Sequence, residues 1–290
     1  MTELIKTYLD DISPVSLKLP AGACDSHFHI FGPANVFPYV ETRNFTPVDA
    51  TKDQLFDLHH RLGIDRGVIV QTAFHGYDNS ATADAIAARP NDYLGVALAP
   101  AVISTEELKK LYKQGFRGVR FNFMAHLKTK DSMEDILALT HRLEPLGMHL
   151  QIHFEPSLVH SLSSELKKSA VPVMIDHMGR VDASLGVNHP DFQGLLQLMK
   201  DPKFHMKVSG LDRISKVPPY EDGIPFAKTL VDEFTDRCVW GTDWPHPNHH
   251  HIPDDAVLVN SIARIADNAE KIEHIMVKNP EQFYGFGASN

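Results

Sequence analysis

Cysteine is nearly absent: the 290 residues contain two, Cys24 and Cys238. Two thiols cannot build a disulfide framework, and both fall in apolar stretches that read as strands, so buried reduced thiols are expected. In a closed barrel the two strands would become neighbours, which leaves a bridge open. Long apolar runs are missing too, with nothing near the ~18 consecutive apolar residues of a membrane span. The opening residues Met1 to Lys6 lack a basic stretch followed by an apolar run, so the expectation is a cytoplasmic protein. Positive charge is in deficit, with 28 Lys and Arg against 37 Asp and Glu and a formal net charge of −9. That speaks against nucleic acid or an acidic membrane surface as partner. A small anionic substrate stays open, because a local cluster of Arg overrides a distant global charge. A homo-oligomer is likewise left open.

What is present is enough apolar material for a full core, 43% of residues, with an ordinary 22% charged. Residues 1–20 read as an extended, Pro-punctuated arm, and 21–290 as one catalytic domain. The first strand is Cys24 to Phe31. A long loop rich in Pro and aromatics, Gly32 to Ala50, follows it, and a loop of that length usually covers a site. After Ala50 strands and helices alternate without a break. Strands are expected at 67–71, 93–99, 118–123, 149–155, 171–178, 204–209 and 238–242. Helices are expected between them, two opened by capping boxes at Thr51/Gln54 and Ser104/Glu107. Eight strand–helix units in this length predict a parallel (β/α)₈ TIM barrel. A doubly wound open sheet is the weaker reading, since no Gly-x-Gly-x-x-Gly follows the first strand.

In such a barrel the site forms at the C-terminal ends of the strands. His27 and His29 share one face of the first strand, since successive side chains alternate. Arg120 and Asn122 stand on strand four, His153 on strand five, His177 on strand six, Arg213 after strand seven and Asp243 after strand eight. A lone buried histidine is most often a hydrogen-bonded core residue, yet four histidines and a carboxylate at successive strand ends form a coherent chemical set. Lys207 and Ser209 share a face of strand seven and would support that set from beneath. His75, Asp78 and Asn79 either line the pocket or cap the following helix, and His246 is expected near the mouth. The run His249-His250-His251 is read as a solvated loop with no assigned role.

The motifs Asp25-Ser26-His27-Phe28-His29-Ile30-Phe31-Gly32-Pro33, His75-Gly76-Tyr77-Asp78-Asn79, Arg117-Gly118-Val119-Arg120, Asp176-His177-Met178-Gly179-Arg180 and Gly241-Thr242-Asp243-Trp244-Pro245-His246-Pro247-Asn248 resemble the amidohydrolase superfamily. Within it they resemble the branch of 2-pyrone-4,6-dicarboxylate lactonases and 4-sulfomuconolactone hydrolases, from about residue 18 onward. The resemblance implies a lactone hydrolase of aromatic-compound degradation. It implies Asp243 as general base, His27, His29 and His177 around the lactone carbonyl, and Arg120 and Arg213 as clamps for acidic substituents. Arg180, His126 and His75 join them as candidate substrate contacts. Two departures stand out. The metal-free pyrone lactonases carry a tyrosine where this chain has His153, and an arginine where it has His126. The first restores a His-x-His, His, Asp set of the kind that holds metal; both tilt the substrate toward a sulfo- or carboxy-muconolactone. The superfamily's strand-four lysine is missing, which argues against a binuclear centre.

Opening a lactone needs a nucleophilic water, a base for its proton, and positive character at the developing oxyanion. A Zn²⁺ held by His27, His29, His153 and Asp243 would supply the last of these and acidify the water. Without metal, the same imidazoles could donate hydrogen bonds to the oxygen. Two other functions compete: a metal-dependent non-oxidative decarboxylase with a similar His/Asp set, and a non-catalytic ligand-binding barrel. The second has no need of Asp243 as a base.

Overall fold

The computed structural model describes residues 4–127, 130–248 and 251–287. Eight parallel strands form one sheet: β1 Cys24–Phe28, β2 Arg66–Val70, β3 Tyr93–Leu98, β4 Phe116–Phe123, β5 His149–Phe154, β6 Val173–Ile175, β7 Phe204–Lys207 and β8 Cys238–Val239. Each pairs with its neighbour in chain order. Helices connect them on the outside, including Lys52–Leu62, Ser80–Ala88, Thr105–Lys113, Met133–Leu143, Val159–Leu166, Pro190–Met199, Ile224–Glu233 and Asp255–Ile265. The expected capping boxes at Thr51/Gln54 and Ser104/Glu107 both form. Strands such as β3 and β5 are buried along their whole length, as expected when helices cover one face and the barrel interior the other. Among the described residues no helix is long and apolar enough to cross a membrane.

Strands one and eight lack a regular ladder, and the barrel closes by individual bonds. Ser26 N–H donates to Trp240 C=O (2.8 Å), Asp243 N–H to His27 C=O (2.7 Å) and His29 N–H to Trp244 C=O (2.7 Å). Asp25 sits behind the seam with no exposed surface. Its Oδ1 accepts from the N–H groups of His27 and Thr242 (both 3.0 Å), and its Oδ2 from the Thr242 hydroxyl (2.5 Å). The segments approach so closely that a Cβ on Gly241 would lie 2.6 Å from the His27 nitrogen, so only glycine fits there.

Seven of the eight strands end earlier than the sequence predicts, three of them by three residues. The first stops at Phe28, the sixth at Ile175 and the eighth at Val239. The reason is local: the chain leaves extended geometry where its side chains begin to line the mouth. A register irregularity lies between Asp25 and Phe28, a bulge that re-aims a side chain. Beyond it, Phe28 packs outward on His59 and Tyr93. Inside, Cys24, Val68, Val70, Leu94, Val96, Met174 and Val239 form a separate apolar plug with Tyr284. Both thiols are free and buried; burial raises the Cys24 thiol to about 12 and Cys238 higher still.

The N-terminal arm is laced to the barrel. Leu4–Ile5 pairs in parallel with Thr46–Pro47 inside the long loop, Tyr8 packs on Trp244, and Asn260 Oδ1 accepts from the N–H groups of Ser16 and Leu17.

Asp25→Ala removes the acceptor of three buried donors, which should cost about 3 kcal/mol or more. In thermal unfolding the expected Tm fall is on the order of 6–12 °C. A fall of under about 2 °C would show that the seam holds without it.

Candidate active site

A cavity of about 460 Å³ opens at the C-terminal mouth of the barrel, lined among others by His29, His153, His177, Arg120, Arg180, Arg213 and Asp243. Asp243 occupies its inner wall. Its backbone is left-handed (φ 66°), a costly state for a non-glycine residue, held by the closure bonds on either side. One carboxylate oxygen, Oδ1, faces three imidazoles: His29 Nε2 at 3.1 Å, His27 Nε2 at 3.5 Å and His177 Nε2 at 3.7 Å. The other, Oδ2, is gripped by Arg213 through Nε (2.6 Å) and Nη2 (2.5 Å). Burial pushes the Asp243 pKa up, but Arg213 and then His177 outweigh it and hold the group well below the usual carboxylate range.

Burial disfavours the charged form of three of the imidazoles. It drives His27 down to about 3 and both His153 and His177 well below their ordinary value. Their tautomers follow from what the far nitrogen meets. His29 Nδ1 lies 2.7 Å from the Val70 carbonyl, which only accepts, so Nδ1 carries the proton. His29 Nε2 faces Asp243 Oδ1 at 3.1 Å. Such a pair calls for a cation or a proton between them. His177 Nδ1 is bonded to the Ser209 hydroxyl (3.0 Å) and His153 Nδ1 to Asn122 Oδ1 (3.1 Å).

A second buried carboxylate, Asp176, lies beneath the first. Arg120 donates to its Oδ2 at 2.7 Å, and Gln151 does so at 3.2 Å. Lys207, fully buried, bonds Gln151 Oε1 (2.9 Å) and stands 3.6 Å from Asp176 Oδ1. Burial lowers its pKa to about 8, with Asp176 opposing. His27 Nδ1 is 3.2 Å from both Lys207 Nζ and Asp176 Oδ1. It can accept from the first or donate to the second, so the ring presents the site with either an N–H or a lone pair. Sequence reasoning quoted Asp176 in a motif without giving it a role, and passed over Gln151. Neither residue type is diagnostic until the fold sets it against Arg120 and Lys207.

Two groups of potential metal ligands have atoms within 4.8 Å of one another: His27, His29 and Asp243, and His27, Asp176 and His177. The donor chemistry of the first fits a divalent ion. His27 Nε2 is buried without a hydrogen-bonding partner among the described residues, His29 Nε2 faces Asp243 Oδ1 at 3.1 Å, and imidazole with carboxylate suits zinc. His153, expected as a fourth ligand, stands outside both groups. Its Asn122 bond turns the ring edge-on to His177, with ring centroids 5.5 Å apart.

The other expected contacts divide. Arg120, Arg180, Arg213 and His126 line the cavity, but Arg120 and Arg213 are already bonded to Asp176 and Asp243. His177 and Arg180 lie beyond strand six, in a turn where 177, 178, 179 and 180 all have positive φ. His75 is outside the lining. Its Nε2 accepts from Gly32 N–H (3.1 Å) and its Nδ1–H donates to Pro38 C=O (3.1 Å), so it pins the long loop. Asp78 Oδ1 accepts from Ser80 N–H at the start of a helix, and Asn79 brackets the Leu98 peptide. Both take the structural side of the expectation. His246 is buried behind Asp243, bonded to Asp255 (3.1 Å); burial opposes its charge, but Asp255 and then Asp212 raise its pKa. His249 and His250 lie outside the described residues, while His251 bonds the Tyr220 hydroxyl. The sequence reading missed the rim residues Thr42, Arg43 and Asn44. The aromatic-rich loop that carries them was the available signal.

A barrel with this His/Asp mouth defines a hydrolase-type site, and the comparisons agree. The amidohydrolase family model matches residues 24–286, and the chain belongs to that family. It is 41% identical to a 2-pyrone-4,6-dicarboxylate hydrolase of Comamonas testosteroni, over 94% of this chain and 93% of that one. It is 38% identical to a 4-sulfomuconolactone hydrolase of Hydrogenophaga intermedia, over 94% and 92%. Among solved structures, one described as a probable 2-pyrone-4,6-dicarboxylic acid hydrolase from Acinetobacter baumannii, with citric acid bound, aligns with a TM-score of 0.83. Its identity is 27%, covering 91% of this chain and all of that one.

His75→Leu should leave Gly32 N–H and Pro38 C=O without their partner, at about 1–3 kcal/mol. The expected readout is faster limited proteolysis within 33–50 while the barrel stays intact; an unchanged cleavage rate there would show that the loop does not depend on this pin.

Proposed function

We propose that the protein is a hydrolase that opens a small, anionic, unsaturated lactone, of the sulfo-muconolactone or pyrone-dicarboxylate type, in aromatic-compound breakdown. The observation that carries this reading is Asp243. It is a carboxylate that Arg213 holds well below the usual range, with one oxygen turned to three imidazoles, inside a cavity ringed by guanidinium groups. Two relatives that are hydrolases of acidic lactones by name support it.

In this reading a water beside Asp243 Oδ1 attacks the lactone carbonyl carbon and its proton passes to the carboxylate. The carbonyl oxygen, gaining negative charge, takes hydrogen bonds from imidazole N–H groups, His27 in its Nε2–H form first among them, at ~2.7–4 kcal/mol for a well-placed donor. Collapse breaks the ring C–O bond, and the proton held at Asp243 returns to the departing oxygen, leaving a free enol or alcohol and a new carboxylic acid that releases its proton to solvent as it ionises. A carboxylate pressed this low is a weak base, since proton transfer is most efficient with a pKa near the working pH. An acidic substituent that shares Arg213 relaxes the clamp and strengthens the base.

His27, His29 and Asp243 are the residues that would hold a zinc ion. Bound there, zinc would polarise the carbonyl and bring the pKa of water toward ~7.

The test is turnover. With carboxylated and sulfonated unsaturated lactones, wild type should give ring-opened acid, and Asp243→Asn should lower kcat by about 10²- to 10⁴-fold. Full activity in that variant, or release of carbon dioxide in place of ring opening, would overturn the proposal. Elemental analysis of protein purified without added metal should find zinc, and activity should fall on prolonged chelation; a metal-free protein at full activity leaves the imidazoles alone in the role.

A further inference from the structure

We propose that Lys207 is a positioning residue: its buried ammonium donates to His27 Nδ1 and so fixes that ring with its proton on Nε2, turned toward the reacting carbonyl. The use of that proton in catalysis rests on the lactone-hydrolase reading; the placement of the proton does not.

Lys207 is the last residue of β7 and has no exposed surface. An ammonium only donates, and burying it is costly unless its protons are taken up. Nζ bonds Gln151 Oε1 at 2.9 Å and His27 Nδ1 at 3.2 Å, and its remaining side faces Asp176 Oδ1 at 3.6 Å. The Gln151 amide is locked in this sense, because its Nε2 donates to Asp176 Oδ2 at 3.2 Å. Turned over, it would set an oxygen against the carboxylate and an N–H against the ammonium.

His27 Nδ1 has a second candidate partner, since Asp176 Oδ1 also lies 3.2 Å away. The two partners demand opposite tautomers. With the proton on Nδ1, a ring N–H and the ammonium would face each other as two donors, and Lys207 would lose one of its two acceptors. With the proton on Nε2, Lys207 keeps both, and Asp176 still holds Arg120 (2.7 Å) and Gln151 on its Oδ2. Asp176 Oδ1 accordingly makes no hydrogen bond among the described residues and acts on the ammonium through charge alone.

The consequence reaches the mouth. His27 Nε2 stands 3.5 Å from Asp243 Oδ1, buried and without a hydrogen-bonding partner among the described residues. An N–H there is unspent, ready for an oxygen that gains negative charge beside that carboxylate. Donation from the ammonium into the far nitrogen polarises the ring and strengthens this N–H. Below the ring, two cations, Arg120 and Lys207, face the single carboxylate of Asp176, and the surplus positive charge favours an oxyanion above it.

Long-range ¹H–¹⁵N correlation spectra of the ¹⁵N-histidine-labelled full chain report which nitrogen of each ring is protonated. The protein is dialysed against chelator so that no ion competes for Nε2, and the His27 signals are those lost in His27→Gln. In wild type the His27 proton should sit on Nε2. Lys207→Met should move it to Nδ1, where Asp176 is then the remaining partner, whereas Asp176→Asn should leave it on Nε2. In the same preparations Lys207→Met should lower kcat for lactone opening about 10²- to 10³-fold, the loss of one oxyanion donor, with little change in KM. A wild-type proton on Nδ1 overturns the proposal without any variant, and so does a folded Lys207→Met protein that keeps the proton on Nε2. Wild type that opens no lactone with or without zinc, while the spectra are as expected, sinks the hydrolase reading and leaves the assignment of Lys207 standing.

Discussion

A single backbone hydrogen bond, from Asp243 N–H to His27 C=O at 2.7 Å, fixes the geometry on which the site depends. It ties the end of the last strand to the bulge of the first, and so places a carboxylate within 3.1–3.7 Å of imidazoles 214, 216 and 66 residues away along the chain. Asp25 secures the same seam from behind with three accepted bonds. Barrel closure and assembly of the chemistry are one event here. That also explains why the strands end early: the residues after β1, β6 and β8 are held in irregular backbone by the bonds that complete the ring, not by a ladder.

Charge is layered below the mouth. Asp243 with Arg213 forms an upper pair, Asp176 with Arg120 and Lys207 a lower group, and imidazoles lie between. Buried ion pairs are weak sources of stability, because desolvating the charges offsets most of their attraction. Their value here is electrostatic preorganisation: dipoles and charges fixed in place before substrate arrives need no reorganisation during the reaction. The arrangement carries a tension, since the clamp that keeps Asp243 ionised also weakens it as a base. His29 completes the picture, its Nε2 3.1 Å from the same oxygen. Proton and metal ion are alternative occupants of that gap, and the side chains suit both.

The barrel was legible because alternation of β-branched runs with capped helices leaves few other folds, and Thr51/Gln54 and Ser104/Glu107 behave as local chemistry dictates. His27, His29, His177 and Asp243 were legible because strand ends in a barrel point to one mouth whatever their separation in sequence. What alternation cannot reveal is which charges are already spent. Arg120 and Arg213 look like open clamps until Asp176 and Asp243 are seen against them. His153 and His75 make the same point in reverse. Each is a sound candidate by type and position, yet Asn122 claims one nitrogen of the first, and Gly32 and Pro38 claim both nitrogens of the second. Long-range pairings of single side chains leave no periodic trace in a sequence.

The central claim is that water, positioned by Asp243 among the imidazoles, attacks the acyl carbon of a lactone. Turnover in ¹⁸O-enriched water, with the label located by mass spectrometry and ¹³C NMR, tests it most directly. One ¹⁸O atom should enter the newly formed carboxylate for each ring opened. Label on the carbon that bore the ring oxygen, or ring opening without uptake of label, would contradict the account.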